Sequence, residues 1–210
     1  MTSRQSLRLL LSVCLLVVAP VLLLSPVTVR AANVDGIRFD DSVSVAGQEL
    51  KLNGAGFRFK AIFKVYAAGL YLTARCTSLP EVLAAGGARR VRLVLLRDVS
   101  SEEFRQAFLD GIRKNMERSE RTRLATQLMR LNTLLGASAG LRNGDVLVAD
   151  WIPGLGTVFL LNGQKFGDPL PDLAFFNAIL KIWLGDKPVD VGLKRLMLGE
   201  IPDDSLRGNP

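Results

Sequence analysis

The chain has 210 residues, of which 49% are hydrophobic, and it carries 27 basic against 20 acidic side chains. It contains no histidine, which excludes serine–histidine and cysteine–histidine catalytic sites, histidine metal ligands and histidine pH switches. The basic residues are scattered along the sequence, so the positive balance does not predict a nucleic-acid-binding surface.

The first 32 residues have the features of a secretory signal peptide. Arg4 and Arg8 precede the apolar run LLLSVCLLVVAPVLLLS, and small residues suited to cleavage follow it. We therefore predict a cleaved leader over residues 1–32 and one exported domain over residues 33–210. An uncleaved membrane anchor is the alternative, because the apolar run is near the length that spans a bilayer.

Loss of this leader leaves a mildly basic protein with a single thiol. The leader contains three arginines and no acid, so 24 basic residues remain against 20 acidic ones. Cys14 lies in the leader and Cys76 is the other cysteine, so no intramolecular disulfide is expected and Cys76 is predicted to be a buried, inert thiol. No metal and no cofactor is predicted.

Strands dominate the first part of the predicted domain. Residues 34–52 predict short strands with a turn at residues 46–48. The segment GAGFRFKAIFKVYAAGLYL, residues 54–72, predicts one long strand or two strands joined at residues 67–69. A nearly continuous apolar run at residues 91–96 predicts a strand buried on both faces.

Helices are predicted before and after that buried strand. A short helix spans residues 78–85, with Ser78 as its cap and Pro80 in its first turn. Ser100 and Glu103 have the spacing of a capping box and begin an amphipathic helix that reaches about Asn115. A further helix is predicted over residues 121–135.

The last third of the chain predicts a hairpin followed by two helices. Residues 145–151 and 157–161 are predicted strands joined by a turn, and residues 162–168 form the next turn. Helices follow at residues 171–184 and 191–198. Strands, a helical pair, more strands and closing helices indicate an α+β fold with one antiparallel sheet covered on one face by helices.

Five segments in this order also carry a family pattern: GAGFRFKAIFKVYAAGLYL (54–72), LVLLRDVSSEEFRQAF (93–108), NGDVLVADWIPGLGTVFLLNGQ (143–164), FFNAILKIWLGDKP (175–188) and LKRLMLGE (193–200). With them the sequence resembles the chalcone isomerase-like family, in its bacterial exported branch, and the resemblance implies a periplasmic location. The resemblance implies an open-faced β-sandwich, a large antiparallel sheet wrapped on one side by helices.

The resemblance also implies site residues. The family's cleft arginine falls on Arg58, and the tyrosine that lipid-binding relatives place in the cleft falls on Tyr66. The true isomerases have a catalytic tyrosine where this sequence has Phe104, so the resemblance keeps the anion-holding pair and lacks that phenol. Phe104 and Phe108 are candidate walls of the cleft, with core packing as the alternative.

Arg58 and Tyr66 can serve one ligand only if the chain folds back between them. They are eight residues apart, which is about 26 Å along an unbroken strand. A break near residues 61–63, or a bulge, is therefore required. Given that fold-back, a guanidinium and a phenol together suit a carboxylate.

These observations predict an exported, non-catalytic protein that binds a fatty acid or a similar small carboxylate amphiphile in an apolar cleft. One alternative is an isomerase or lyase of chalcone isomerase type, for which no general base is evident. Another is an accessory protein with a filled cleft and an envelope protein as its partner.

Overall fold

The computed structural model describes residues 31–34 and 36–200. The predicted leader lies outside these residues except for Ala31 and Ala32, which belong to β1. The strands are β1 Ala31–Val34, β2 Ile37–Asp40, β3 Ser42–Val45, β4 Gln48–Lys60, β5 Phe63–Leu72, β6 Arg89–Leu95, β7 Val146–Ile152, β8 Gly156–Leu161 and β9 Gln164–Lys165. The helices are α1 Leu79–Ala84, α2 Ser101–Lys114, α3 Arg118–Arg123, α4 Ala125–Gly136, α5 Leu173–Leu184 and α6 Val191–Met197.

The main sheet of the described residues has seven strands, and β1 and β2 pair as a separate antiparallel two-stranded sheet. Strands β3 to β9 are neighbours in sequence order, and every adjacent pair is antiparallel. Helices α2, α3 and α4 are inserted between β6 and β7, and α5 and α6 follow β9. The predicted α+β architecture is confirmed.

The two faces of the sheet bury different clusters. Tyr66, Leu70 and Leu72 on β5 belong to the larger core, which also contains the apolar sides of α2, α4 and α5. Ala67 and Tyr71, from the same strand, belong to a smaller core on the other face. Because side chains alternate along a strand, Tyr66 and Tyr71 lie on opposite faces, as the spacing predicts.

Local capping signals explain where several helices begin. The Ser78 hydroxyl accepts the backbone N–H of Glu81 at the start of α1, and the Ser100 hydroxyl accepts that of Glu103 at the start of α2. Asp190 caps α6 in the same way. These contacts satisfy N–H groups that lack partners inside the helix, and the predicted caps at Ser78 and Ser100 are confirmed.

Three boundaries differ from the predictions. The join at residues 67–69 is wrong: these residues are buried within β5, and Gly69 is small because the Phe39 ring packs on it. The helix at residues 121–135 is two helices, because buried Leu124 leaves helical geometry between α3 and α4. The turn after β8 also contains a short strand, β9.

Three further observations concern the described residues. Cys76 is buried with no disulfide partner, and burial raises the pKa of its thiol, which agrees with an inert cysteine. Across residues 31–34 and 36–200, no helix combines the length and apolar character needed to cross a bilayer. The same residues hold no cluster of three or more metal-binding side chains.

Candidate ligand-binding site

The hairpin of β4 and β5 brings Arg58 and Tyr66 together. The chain turns at residues 61–62, so that Lys60 pairs with Phe63 and Arg58 lies directly opposite Tyr66. The register shifts between Arg58 and Phe59, which leaves Val65 as an extra residue on β5. Both the fold-back and the bulge that the sequence requires are therefore present, and cross-strand neighbours of this kind place their side chains on one face.

The Arg58 guanidinium lies over the Tyr66 ring. Its Cζ atom is 5.4 Å from the ring centroid, which is within the range of a cation–π contact. The Arg58 Nε atom is buried and has no hydrogen-bond partner in the described structure. Since buried donors are usually paired, this atom is a donor poised for a ligand.

Tyr66 is only 6% exposed, and its hydroxyl is held by α5. The Trp183 indole N–H donates to the Tyr66 oxygen over 2.8 Å. Burial raises the pKa of the Tyr66 hydroxyl, and the positive charge of Arg58 only partly opposes this. The phenol therefore stays protonated at neutral pH, and its own O–H remains to be donated to another group.

A small cavity lies between this pair and α2. Its volume is about 60 Å³, the space of about two liquid water molecules. Arg58 and Tyr66 supply polar atoms, and apolar side chains form much of the remaining wall. The lining residues are Arg58, Lys60, Val65, Tyr66, Leu95, Val99, Glu103, Phe104 and Ala107.

A second, more polar pocket lies on the other side of Arg58. It has a volume of about 280 Å³ and shares Arg58 and Ala107 with the first cavity. Asp110 and Lys114 from α2 and Lys187 from the loop before α6 also line it. Arg58 therefore separates an inner apolar cavity from an outer charged pocket, and a ligand could place its charged end at this boundary.

Glu103 and Lys60 lie at the edge of the inner cavity. The Glu103 carboxylate accepts from Arg97 Nη2 at 2.7 Å and from Lys60 Nζ at 3.4 Å. The sequence predicts only a capping-box role for Glu103. Two cations already neutralise this carboxylate, so it presents little net repulsion to an anionic ligand.

The two predicted phenylalanines occupy different positions. Phe104 lines the inner cavity, whereas Phe108 packs one layer deeper. The Phe108 ring is 5.5 Å from the Phe104 ring and 6.2 Å from the Trp183 ring, measured between centroids. Phe108 is absent from the lining of both pockets that contain Arg58, so it supports the wall from behind.

Sequence reasoning missed the polar role of Trp183, which it treats as a packing residue. Trp183 is buried in the core, yet its N–H sets the orientation of Tyr66. A buried indole needs an acceptor, and this requirement is the signal in the sequence. The acceptor could not be identified, because 117 residues separate the two side chains.

A larger pocket, of about 840 Å³, lies elsewhere in the described structure. It is a groove between α4 and residues 167–170, and its lining includes Met129, Arg130 and Asp168. No buried polar atom without a partner is directed into it, since the unpaired buried side-chain atoms of the described residues belong to other positions. Its size alone does not make it the functional site.

The hydrogen bond between Trp183 and Tyr66 yields a prediction. Tyr66→Phe removes the acceptor and leaves the buried indole N–H unpaired, which should lower the free energy of unfolding by about 1–3 kcal/mol. Tyr71→Phe is the matched control, because Tyr71 is equally buried on the other face and burial raises its pKa to about 12. Urea unfolding followed by tryptophan fluorescence should show the larger loss for Tyr66→Phe. Equal losses would contradict a special role for this hydrogen bond.

Comparison with known proteins agrees with this architecture. Residues 31–199 match the family model described as chalcone isomerase-like. Among solved structures, a fatty-acid-binding protein from Arabidopsis thaliana is similar, with a TM-score of 0.67, 16% sequence identity, and coverage of 80% of this chain and 96% of that one. At this identity the likeness shows a shared fold. No curated protein matches the sequence.

Proposed function

We propose, on the premise that this chain belongs to the chalcone isomerase-like family, that it is a non-catalytic protein that binds a fatty acid or a similar small carboxylate amphiphile. The observation that carries the proposal is that two donors, the unpartnered Arg58 Nε and the protonated Tyr66 hydroxyl, lie side by side at one wall of an apolar cavity. The similar solved structure is itself described as fatty-acid binding.

The chemistry of the two donors favours a carboxylate head group. A guanidinium donates two parallel hydrogen bonds to a planar carboxylate, and the neighbouring phenol supplies a third donor. Such charge-assisted hydrogen bonds are stronger at a site with little water. An alcohol or an ester of the same length lacks the negative charge and should bind much less tightly.

The volume of the inner cavity limits the length of the alkyl chain that can fit. A volume of about 60 Å³ accommodates a carboxylate or a very short acid, but not the tail of a long-chain fatty acid. Phe104 stands at the cavity wall, is only partly buried, and belongs to the first turn of α2. We infer that a longer tail enters by displacing the Phe104 ring.

The cavity offers little support for the isomerase alternative. Tyr66 is neutral, because burial raises its pKa, and Glu103 is paired with Arg97 and Lys60. Phe104 occupies the position of the catalytic phenol that the resemblance implies. A base that removes a proton at neutral pH needs a pKa near that pH, whereas burial raises the pKa of Tyr66 further above it.

Titration of lipid-free protein with hexanoate, decanoate and palmitate tests the proposal. We expect one-to-one binding of decanoate and at least about tenfold weaker binding of decanol, which lacks the charge. Phe104→Ala should increase the preference for palmitate over hexanoate by about tenfold or more, because each additional buried methylene contributes about 0.8 kcal/mol. Calorimetry, or fluorescence for the less soluble acids, measures these affinities.

Phe57→Ala is the matched control for Phe104→Ala. Phe57 is a partly buried phenylalanine that packs against the core on the opposite face of the sheet, so its loss should leave the chain-length preference unchanged. If the parent protein binds none of the acids and carries no lipid in an organic extract, the proposal is wrong. The alternative, an accessory protein with a filled cleft, would then be favoured.

We also propose that the protein acts in the periplasm after loss of residues 1–32. The support comes from the sequence of the leader, with its two early arginines and its apolar run. Mass spectrometry of the protein recovered from a periplasmic extract would measure the mature N-terminus. Recovery of the full-length chain from the membrane fraction would favour an uncleaved anchor instead.

A further inference from the structure

The turn between β4 and β5 exposes large apolar side chains to solvent. We call residues 59–64 the hairpin tip. Ile62 is 83% exposed, Phe63 is 63% exposed and Phe59 is 44% exposed. Seven large hydrophobic side chains are exposed among the described residues, and three of them lie in these six residues. Exposed apolar side chains concentrated in this way mark an interaction site.

The tip has a tight and well-supported backbone. Residues 61 and 62 alone connect the paired residues Lys60 and Phe63. Ala61 has a positive φ of 54°, a conformation that glycine usually supplies in such turns. The backbone N–H of Phe59 donates to the Asp190 carboxylate over 3.0 Å, which ties the tip to the start of α6. The structure thus holds Ile62 outward at the end of a braced hairpin.

Basic side chains flank these apolar residues. Residues 57–64 contain Arg58, Lys60 and Lys64 and no acid. Lys64 lies over the Phe57 ring at 4.5 Å, beside the tip. Two acids of the described part of the chain lie near the tip. Glu103 pairs with Arg97 and with Lys60 of the tip, and Asp190 accepts the backbone N–H groups of Phe59 and Leu193.

We propose that the hairpin tip inserts into the surface of an anionic lipid bilayer. Lysines can keep their charged ends among lipid phosphates while neighbouring apolar side chains enter the acyl boundary. A protein partner fits less well, because a narrow convex turn with three apolar side chains cannot alone bury the roughly 1,200 Å² of a stable interface. A bilayer requires only a small inserted area.

This docking would bring the candidate ligand site close to its supply of acyl chains. Arg58 and Lys60 line the inner cavity. Both lie on β4, where Arg58 directly precedes the tip and Lys60 belongs to it. A carboxylate amphiphile leaving the bilayer would therefore meet the cavity at the base of the same hairpin. This last step rests on the proposed function, whereas the docking itself does not.

Vesicle binding tests the proposal. The protein is recovered after export, and mass spectrometry confirms that the parent and every variant have the same N-terminus. Each is mixed with vesicles of phosphatidylcholine alone or with about one third phosphatidylglycerol, and the bound fraction is measured by sedimentation. We expect the double variant Ile62→Asn, Phe63→Ser to bind anionic vesicles at least about tenfold less tightly than the parent.

Leu155→Asn is the matched control, since Leu155 is a 48% exposed apolar residue in the turn between β7 and β8. The strand register places that turn at the opposite end of the sheet from the hairpin tip. This variant should bind vesicles as the parent does. All three proteins should melt at similar temperatures, because the replaced side chains are exposed.

Two results would overturn the proposal. One is vesicle binding by the tip variant that equals that of the parent. The other is a parent protein that does not bind anionic vesicles. If such a parent forms dimers and the tip variant does not, the tip is a protein interface. Decanoate titration without vesicles separates the two proposals: the tip variant should bind decanoate normally, and a parent that binds vesicles but no acid would contradict only the proposed function.

Discussion

Arg58→Met is expected to weaken decanoate binding by about 100-fold while leaving the protein folded. The substitution removes the guanidinium from its place over the Tyr66 ring, and the loss of one member of a buried charge pair costs a complex about 2–5 kcal/mol. A difference of 1.4 kcal/mol is tenfold in affinity, so the expected effect is large. Arg58→Lys keeps the charge but lacks the planar fork, and should lie between the parent and Arg58→Met.

Stability should respond little to the same change. Arg58 Nε has no partner in the described structure, and the Tyr66 oxygen keeps the Trp183 N–H as a donor when the guanidinium is removed, so the change leaves that acceptor paired. We expect the free energy of unfolding to stay within about 1 kcal/mol of the parent, the scale of an exposed cation–π contact. Calorimetric titration and urea unfolding of the same preparations measure the two effects.

Arg92→Met is the matched control for this experiment. Arg92 also lies over an aromatic ring, with its Cζ atom 5.1 Å from the Phe39 ring centroid, and Phe39 belongs to the core on the other face of the sheet. Its replacement should leave decanoate binding unchanged. Equal losses of affinity for Arg58→Met and Arg92→Met would show that decanoate binding depends on the net positive charge of the protein. That result would contradict the assignment of Arg58 to the binding site.

Gly54→Ala is expected to lower the free energy of unfolding by about 2–4 kcal/mol. A Cβ atom at Gly54 would lie 2.0 Å from the backbone oxygen of Leu196 at the end of α6. Backbone cannot rotate away as a side chain can, so α6 would have to move off β4, and overpacking of this kind is destabilising. Urea unfolding measures the change.

Two other glycines calibrate this prediction. At Gly56 the clash is with the Leu196 side chain at 2.5 Å, which can adopt another rotamer, so Gly56→Ala should cost less than Gly54→Ala. Gly86 has open space around it and no positive φ, so Gly86→Ala should be neutral or slightly stabilising. If Gly54→Ala and Gly86→Ala unfold at the same urea concentration, the close packing of α6 on β4 is wrong.

Gly54 connects stability to the candidate site. The helix that packs on it begins at Asp190, whose carboxylate holds the backbone N–H of Phe59 next to Arg58. A displaced α6 should therefore also loosen the hairpin. We expect weaker decanoate binding by Gly54→Ala even under conditions in which the variant is fully folded.

The sequence was most informative where local rules decide the structure. The serines at positions 78 and 100 cap helices because their hydroxyls reach N–H groups three residues on. The apolar spacing of α2 and α5 follows from one face being buried. These interactions lie within a few residues of each other, so a reader of the sequence can recognise them.

The sequence was least informative where distant segments meet. Small residues at 67–69 look like a turn in sequence, yet they lie inside β5 because the Phe39 ring requires the space. The helix predicted over residues 121–135 is interrupted at Leu124, whose backbone (φ −96°, ψ 13°) leaves helical geometry while its side chain is buried. The local pattern of the sequence does not show this interruption.

For the candidate site, too, the sequence predicted some features and only the tertiary structure decided the others. The family pattern indicated the anion-holding pair of Arg58 and Tyr66, and their separation required the chain to fold back between them. The composition excluded histidine chemistry. Only the tertiary structure decided that Trp183 orients the phenol, that Arg58 divides two pockets, and that the inner cavity is small. Contacts across 117 residues and the volume left between packed elements depend on how all the elements meet, and no local pattern contains that information.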